Sequence, residues 1–195
     1  TRSVDGKLLG EELDRIGYRG DAAMPFCRPE AFVELHIEQG PVLDIEGGLI
    51  GAVSDLQGIS WQEITITGQS NHAGTTPMRL RHEAGYCAGA IAHFVRQIAR
   101  DMAGSQVGTT GAVQLHPNLI NVIAARAMIT VDLRNTDEDL LKESERRLDA
   151  FISALADEEG VSISSRRLAR FEPVRFDAQV TNLITRTPER LTIDC

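Results

Sequence analysis

Residues 61–68 read WQEITITG, and the alternation that starts there decides the fold. Ile64 and Ile66 fall on one side of an extended backbone, with Glu63, Thr65 and Thr67 on the other, as in a half-buried strand. A loop over 69–79 follows, and then a helix over roughly 80–102. Its apolar face, Ala84, Cys87, Ala88, Ile91, Phe94, Val95 and Ile98, recurs at three- and four-residue spacing. TTGAVQLH (109–116) predicts the next strand. Pro117-Asn118 turns it into a long one, NVIAARAMITVDLR (121–134). There Ala125, Ala127, Ile129, Val131 and Leu133 face one way, and Arg126, Met128, Thr130, Asp132 and Arg134 the other.

Thr136 with Asp139 gives a capping-box-like start to a second helix. Leu140, Leu141, Leu148, Phe151, Ile152 and Leu155 form its stripe, and Gly160 closes it. VSISSRRLARF (161–171) supplies the last strand. The order β-α-β-β-α-β is a split βαβ, or ferredoxin-like, α+β unit: one antiparallel four-stranded sheet with two helices on one face. Its expected bounds are 56–172.

The flanks, 1–55 and 173–195, do not make a domain by themselves. Residues 7–17 predict a short helix closed by Gly17. AFVELHI (31–37) predicts a strand, with Val33, Leu35 and Ile37 opposite Phe32, Glu34 and His36. Gly40-Pro41 opens a short helix that Gly47-Gly48 ends, and LIGAVSDL (49–56) predicts another strand. The N-terminal TRSVDGKLLGEELDRIGYRG has neither an initiator methionine nor the regions of a signal peptide, and reads as the interior of a longer protein.

A formal charge of −8 argues against a nucleic-acid or anionic-membrane partner. No apolar run approaches the roughly 20 residues that span a bilayer. Cys27, Cys87 and Cys195 are odd in number and lack C-x-x-C spacing, which points to a reducing, cytoplasmic compartment.

Four polar residues stand out. His36, on the polar side of its strand, suits a metal ligand, although a lone histidine is more often an imidazole satisfied by a neighbouring hydrogen bond. His72, in the SNHAGTTP loop, could bond a developing oxyanion or simply serve a turn. Arg134 suits capture of a carboxylate, or an ion pair with Asp132 or Asp137. Asn121 begins its strand at a hairpin, where asparagine usually serves the turn. His82, His93 and His116 read as helix-surface or strand-end residues.

ELHIEQGPVL, GQSNHAGTTPM, NLINVI and DLRN, in this order and spacing, resemble the amidase (hydantoinase/carbamoylase) branch of the M20 metallopeptidase superfamily. That branch contains N-carbamoyl-L-amino acid hydrolases, β-ureidopropionases and allantoate amidohydrolases. The resemblance implies a two-metal catalytic domain interrupted by a ferredoxin-like lid that also forms a homodimer. Residues 1–55 would then be part of the catalytic domain and 173–195 the start of the return to it. The resemblance makes His36 a ligand of one of two divalent ions (zinc, manganese, cobalt or nickel). It makes Gln39 and Asn121 substrate contacts, His72 the histidine that polarises the scissile group, and Arg134 the anchor for the carboxylate of a small ureido or carbamoyl acid. The remaining ligands and the general base would lie outside these residues, so the stretch alone is expected to be inactive and to hold no metal. The tail TRTPERLTIDC (185–195) departs from the family's continuation. An M20 dipeptidase or deacylase, or a non-catalytic ferredoxin-like dimerisation module, is the alternative reading.

The strand directions carry a further expectation. Thirteen residues at about 3.3 Å each put Asn121 and Arg134 up to ~43 Å apart, beyond the span of one small acid. One lid would therefore serve two active sites of a dimer, Arg134 in its own and His72 with Asn121 in the partner's.

Overall fold

The structure is a computed structural model that describes residues 2–3, 5–23 and 28–190, with the side chains of 188–190 outside that description. Cys27, Cys195 and the end of the tail, 191–195, fall outside it. The described residues form two compact units, 1–42 and 43–195.

In the first unit, α1 (Leu9–Arg15) ends as its glycine requires, Gly17 taking φ 70°. Residues 31–38 form no strand. Phe32, Val33, Leu35 and Ile37 are all exposed. The alternation was legible; a strand also needs a neighbouring edge to complete its hydrogen bonds, and no described residue supplies one. A short helix, α2 (Val42–Glu46), follows, and Gly47 at φ 77° ends it. In the second unit the expected strand over 49–56 shrinks to β1 (Asp55–Leu56), paired antiparallel with β6 (Val174–Arg175).

The second unit holds the sheet: β2 (Gly58–Thr67), β3 (Val107–His116), β4 (Arg126–Asn135) and β5 (Ser162–Phe171). Their order is β3-β4-β2-β5, with every neighbouring pair antiparallel. This is the ferredoxin-like arrangement expected from the sequence. The helices are α3 (Ala84–Met102), over β3 and β4, and α4 (Glu138–Glu159), over β2, β4 and β5. Ile64 and Ile66 of β2 and Ile129, Val131 and Leu133 of β4 meet Ile91, Val95, Ile98, Leu141 and Leu148 of the helices, all buried. Burying each such side chain is worth about 1.5–3 kcal/mol, which is what holds the helix layer on the sheet. Phe94 and Phe151 stack between the two helices, centroids 4.0 Å apart.

Three boundaries differ from the pattern. α3 begins at Ala84, after a 3-10 turn at Met78–Leu80, because Arg81 is extended with ψ 140°. β4 begins at Arg126, because the preceding backbone bonds elsewhere: Gly68 N–H donates to Ala125 O and Ala84 N–H to Ala124 O. The α4 cap is Asp137 rather than Thr136; its carboxylate accepts from Asp139 N–H and Leu140 N–H. The starts of β4 and α4 are thus set by bonds that hydrophobic periodicity does not report.

Candidate functional site

β2 ends at Thr67, and the chain then forms the loop carrying His72. The backbone of His72 bridges to Val122, with Ala73 N–H donating to Asn121 O and Ile123 N–H to Asn71 O. His72 and Asn121 therefore share one end of the sheet. Arg134 sits opposite Ile59, at the start of β2, while Thr67 at its end faces Arg126. About 26 Å of strand separates these two register pairs. The structure brings His72 and Asn121 together and holds Arg134 apart from them.

The His72 ring is exposed, yet its chemistry is fixed. Nδ1 accepts from Gly74 N–H at 3.1 Å and from Thr75 N–H at 3.3 Å. A nitrogen accepting two N–H groups carries no proton, so the neutral ring bears its hydrogen on Nε2 and presents a donor outward. Thr76 closes the turn, its hydroxyl donating to His72 O at 2.7 Å. His36 has the other tautomer: its Nδ1 meets Ile37 O, which only accepts, so Nδ1 holds the proton and Nε2 keeps a lone pair. One histidine offers a hydrogen, the other an electron pair.

His36 is a single donor. Among the described residues no group of three or more His, Cys, Asp or Glu could hold a metal ion. The residues described do not by themselves fit a metal centre. Gln39 adopts φ 54°, an uncommon conformation for a residue with a side chain, just before Gly40. Glu38 Oε1 accepts from Val42 N–H at 2.8 Å and starts α2.

Arg134 lies on the sheet face away from the helices. Its Nε and Nη2 donate to Asp132, at 2.8 Å for Nη2, and its guanidinium lies 5.9 Å from the Trp61 ring centre. The hydrogen bonds to Asp132 raise its already high pKa. Among the described residues Nη1 makes no hydrogen bond, which leaves one edge of the fork for an anion.

Sequence reading missed two residues. Arg81, part-buried, donates through Nη2 to Ala73 O at 2.6 Å, through Nε to Thr76 O at 3.0 Å, and through Nη1 to Glu83 at 2.6 Å. His82, expected on a helix surface, is part-buried and donates from Nδ1 to Glu159 O at 2.8 Å. It joins the loop to the end of α4, across a separation in sequence that local patterning cannot see. His93 is exposed on α3 and His116 ends β3, both as expected.

No described helix is long and apolar enough to cross a membrane. The family profile of the peptidase dimerisation domain of M20 type matches residues 55–160. The chain is 35% identical to an N-carbamoyl-L-amino-acid amidohydrolase of Rhizobium meliloti over 97% of its own length and 46% of the relative's. It is 37% identical to an allantoate amidohydrolase of Escherichia coli K12 over 83% of its length and 39% of the relative's. A crystal structure of an amidase of the hydantoinase/carbamoylase family from Burkholderia multivorans superposes with a TM-score of 0.91 at 40% identity, covering 98% of this chain and 47% of that one. The chain spans under half the length of these relatives.

Proposed function

This chain belongs to the M20 peptidase dimerisation-domain family, and on that premise we propose that it is part of a metal-dependent amidohydrolase cleaving linear C–N amide bonds of N-carbamoyl amino acids, ureido acids or allantoate. The observation that carries the reading is the Nε2–H of His72, held outward by two backbone donors at the end of a rigid sheet. A fixed donor of this kind suits the oxygen of a scissile carbonyl, where negative charge develops. The names of the two amidohydrolase relatives supply the substrate class.

In this reading residues 1–55 belong to the catalytic domain, 56–172 form the lid, and 173–195 return toward the catalytic domain. His36 contributes one lone pair to a divalent ion such as zinc, manganese, cobalt or nickel, whose other ligands come from outside the described residues. Gln39 and Asn121 contact substrate. Arg134 binds its carboxylate through the unused edge of the guanidinium. The cysteine usage fits a cytoplasmic setting.

The reading includes a homodimer through the lid. The ten-residue edge strand β3 has no partner on its outer side among the described residues, and an exposed edge invites pairing with another chain. His72 and Asn121 beyond one end of β2 and Arg134 beside its other end, with about 26 Å of strand between the register pairs at those ends, cannot hold the same small acid. One lid then serves two sites, with His72 and Asn121 reaching the partner's. The test is subunit exchange in the full-length enzyme. Arg134→Ala and His72→Ala, each inactive alone, should regain part of the activity when mixed; absence of recovery overturns the shared arrangement.

A further inference from the structure

We propose that Arg81 sets the tautomer of His72 through the Ala73–Gly74 peptide. One peptide group makes both bonds: its oxygen accepts from Arg81 Nη2 at 2.6 Å, and its N–H donates to His72 Nδ1 at 3.1 Å. Hydrogen bonds in series polarise one another, and a cationic donor polarises most. A guanidinium on the Ala73 carbonyl makes Gly74 N–H a stronger donor, which holds Nδ1 as an acceptor and leaves the ring proton on Nε2.

The rest of the guanidinium keeps this arm in place. Nε holds Thr76 O, the far end of the same turn, and Nη1 is pinned by Glu83. Glu83 and Arg81 are 25% and 20% exposed, so the fork is only partly screened by water. Arg81 is the one charged side chain that bonds the backbone of this loop among the described residues. Lysine cannot replace it, because a single ammonium cannot span two carbonyls and a carboxylate in that geometry. Arg81 is thus a positioning residue: it acts on the reaction only through the imidazole. Its catalytic consequence rests on the role proposed for His72; the tautomer does not.

The test is a long-range proton–nitrogen spectrum of the imidazoles in the nitrogen-15-labelled 195-residue chain, recorded where the rings are neutral. The unsubstituted chain should show His72 as the Nε2–H form, with a scalar coupling across the hydrogen bond between the Gly74 amide nitrogen and Nδ1. Arg81→Met should lose that coupling and lower the tautomer ratio several-fold, and Arg81→Lys should give an intermediate ratio. An unchanged ratio in either folded variant overturns the proposal. So does an Nδ1–H form in the unsubstituted chain, a measurement that needs no variant to fold. Full-length enzyme carrying Arg81→Met separates the two claims. A shifted tautomer with undiminished kcat removes the role given to His72 while leaving the Arg81 link standing.

Discussion

Gly74 lies so close to His72 that a Cβ built on it would stand 3.2 Å from the ring's Cε1 and 3.5 Å from Nδ1. The same residue's N–H holds that nitrogen, so a side chain there would press on the ring that its own backbone holds. Gly74→Ala should push the ring away and weaken the bond to Nδ1. In the full-length enzyme kcat should fall several-fold, short of the about 10²-fold that a whole ångström of misplacement costs. The unfolding midpoint of the chain should barely move. Unchanged kcat would show that the ring position does not matter.

His72→Ala removes the donor itself. Removing one oxyanion donor typically lowers kcat about 10²–10³-fold. The side chain is exposed and its Nδ1 accepts two backbone N–H groups that water can replace, so stability should fall by no more than about 1.5 kcal/mol. Denaturant unfolding and steady-state kinetics together measure both.

The core makes a different demand. A Cβ on Gly108 of β3 would stand 2.8 Å from Val95 O of α3, backbone against backbone. Gly108→Ala should cost about 1–3 kcal/mol by forcing helix and sheet apart. Ile129→Ala, at a fully buried position of β4, should cost about 2–5 kcal/mol by leaving a cavity. Urea denaturation of both variants gives the comparison, with the slope unchanged if only stability is altered.

Acid should weaken the α4 layer. Burial pushes the Glu138 carboxyl up, but hydrogen bonds from Arg170 and Lys142 outweigh it and leave the group below its ordinary 4.5. Hydrogen bonds from Arg146 and Arg147 bring Glu143 down to about 2. A depressed carboxylate stabilises the fold above its unfolded pKa, and that share is lost as pH falls through the folded value. The melting temperature should therefore hold down to about pH 5 and decline between pH 4.5 and 2. Arg170→Met should remove the part of the decline due to Glu138; an identical profile would refute the assignment.

Cys87 is fully buried on α3. Burial, with help from the nearby carboxylates of Glu159 and Glu83, pushes its thiol up to about 11. In a Cys27→Ser, Cys195→Ser background the remaining thiol should resist a disulfide reagent at neutral pH and react fully in denaturant. Rapid reaction in the native state would contradict the burial.

The ferredoxin-like layer was legible because its signals are local. Ile64 and Ile66 alternate with polar residues, and the stripes of α3 and α4 recur at helical spacing, so each element announces the face it buries. Even the separation of His72 from Arg134 followed from strand direction alone. Other features are not local. Residues 31–37 have a strand's pattern, but whether they become one depends on a neighbouring edge. Arg81 and His82 look like ordinary polar residues in the first turn of the expected helix. Their importance lies in which carbonyls they reach, and in the case of His82 that carbonyl is 77 positions away.

The position of β2 in the sheet governs the order of events during synthesis. It leaves the ribosome before the other three strands, yet both its neighbours come later: Glu63 pairs with Thr130 on one side and Arg166 on the other, the latter 103 positions downstream. At about 5–20 residues per second, that second flank is missing for roughly 5–20 s. During that interval the Ile64–Ile66 face of a central strand lacks one flank, and the nascent α3 is the first later element able to cover it.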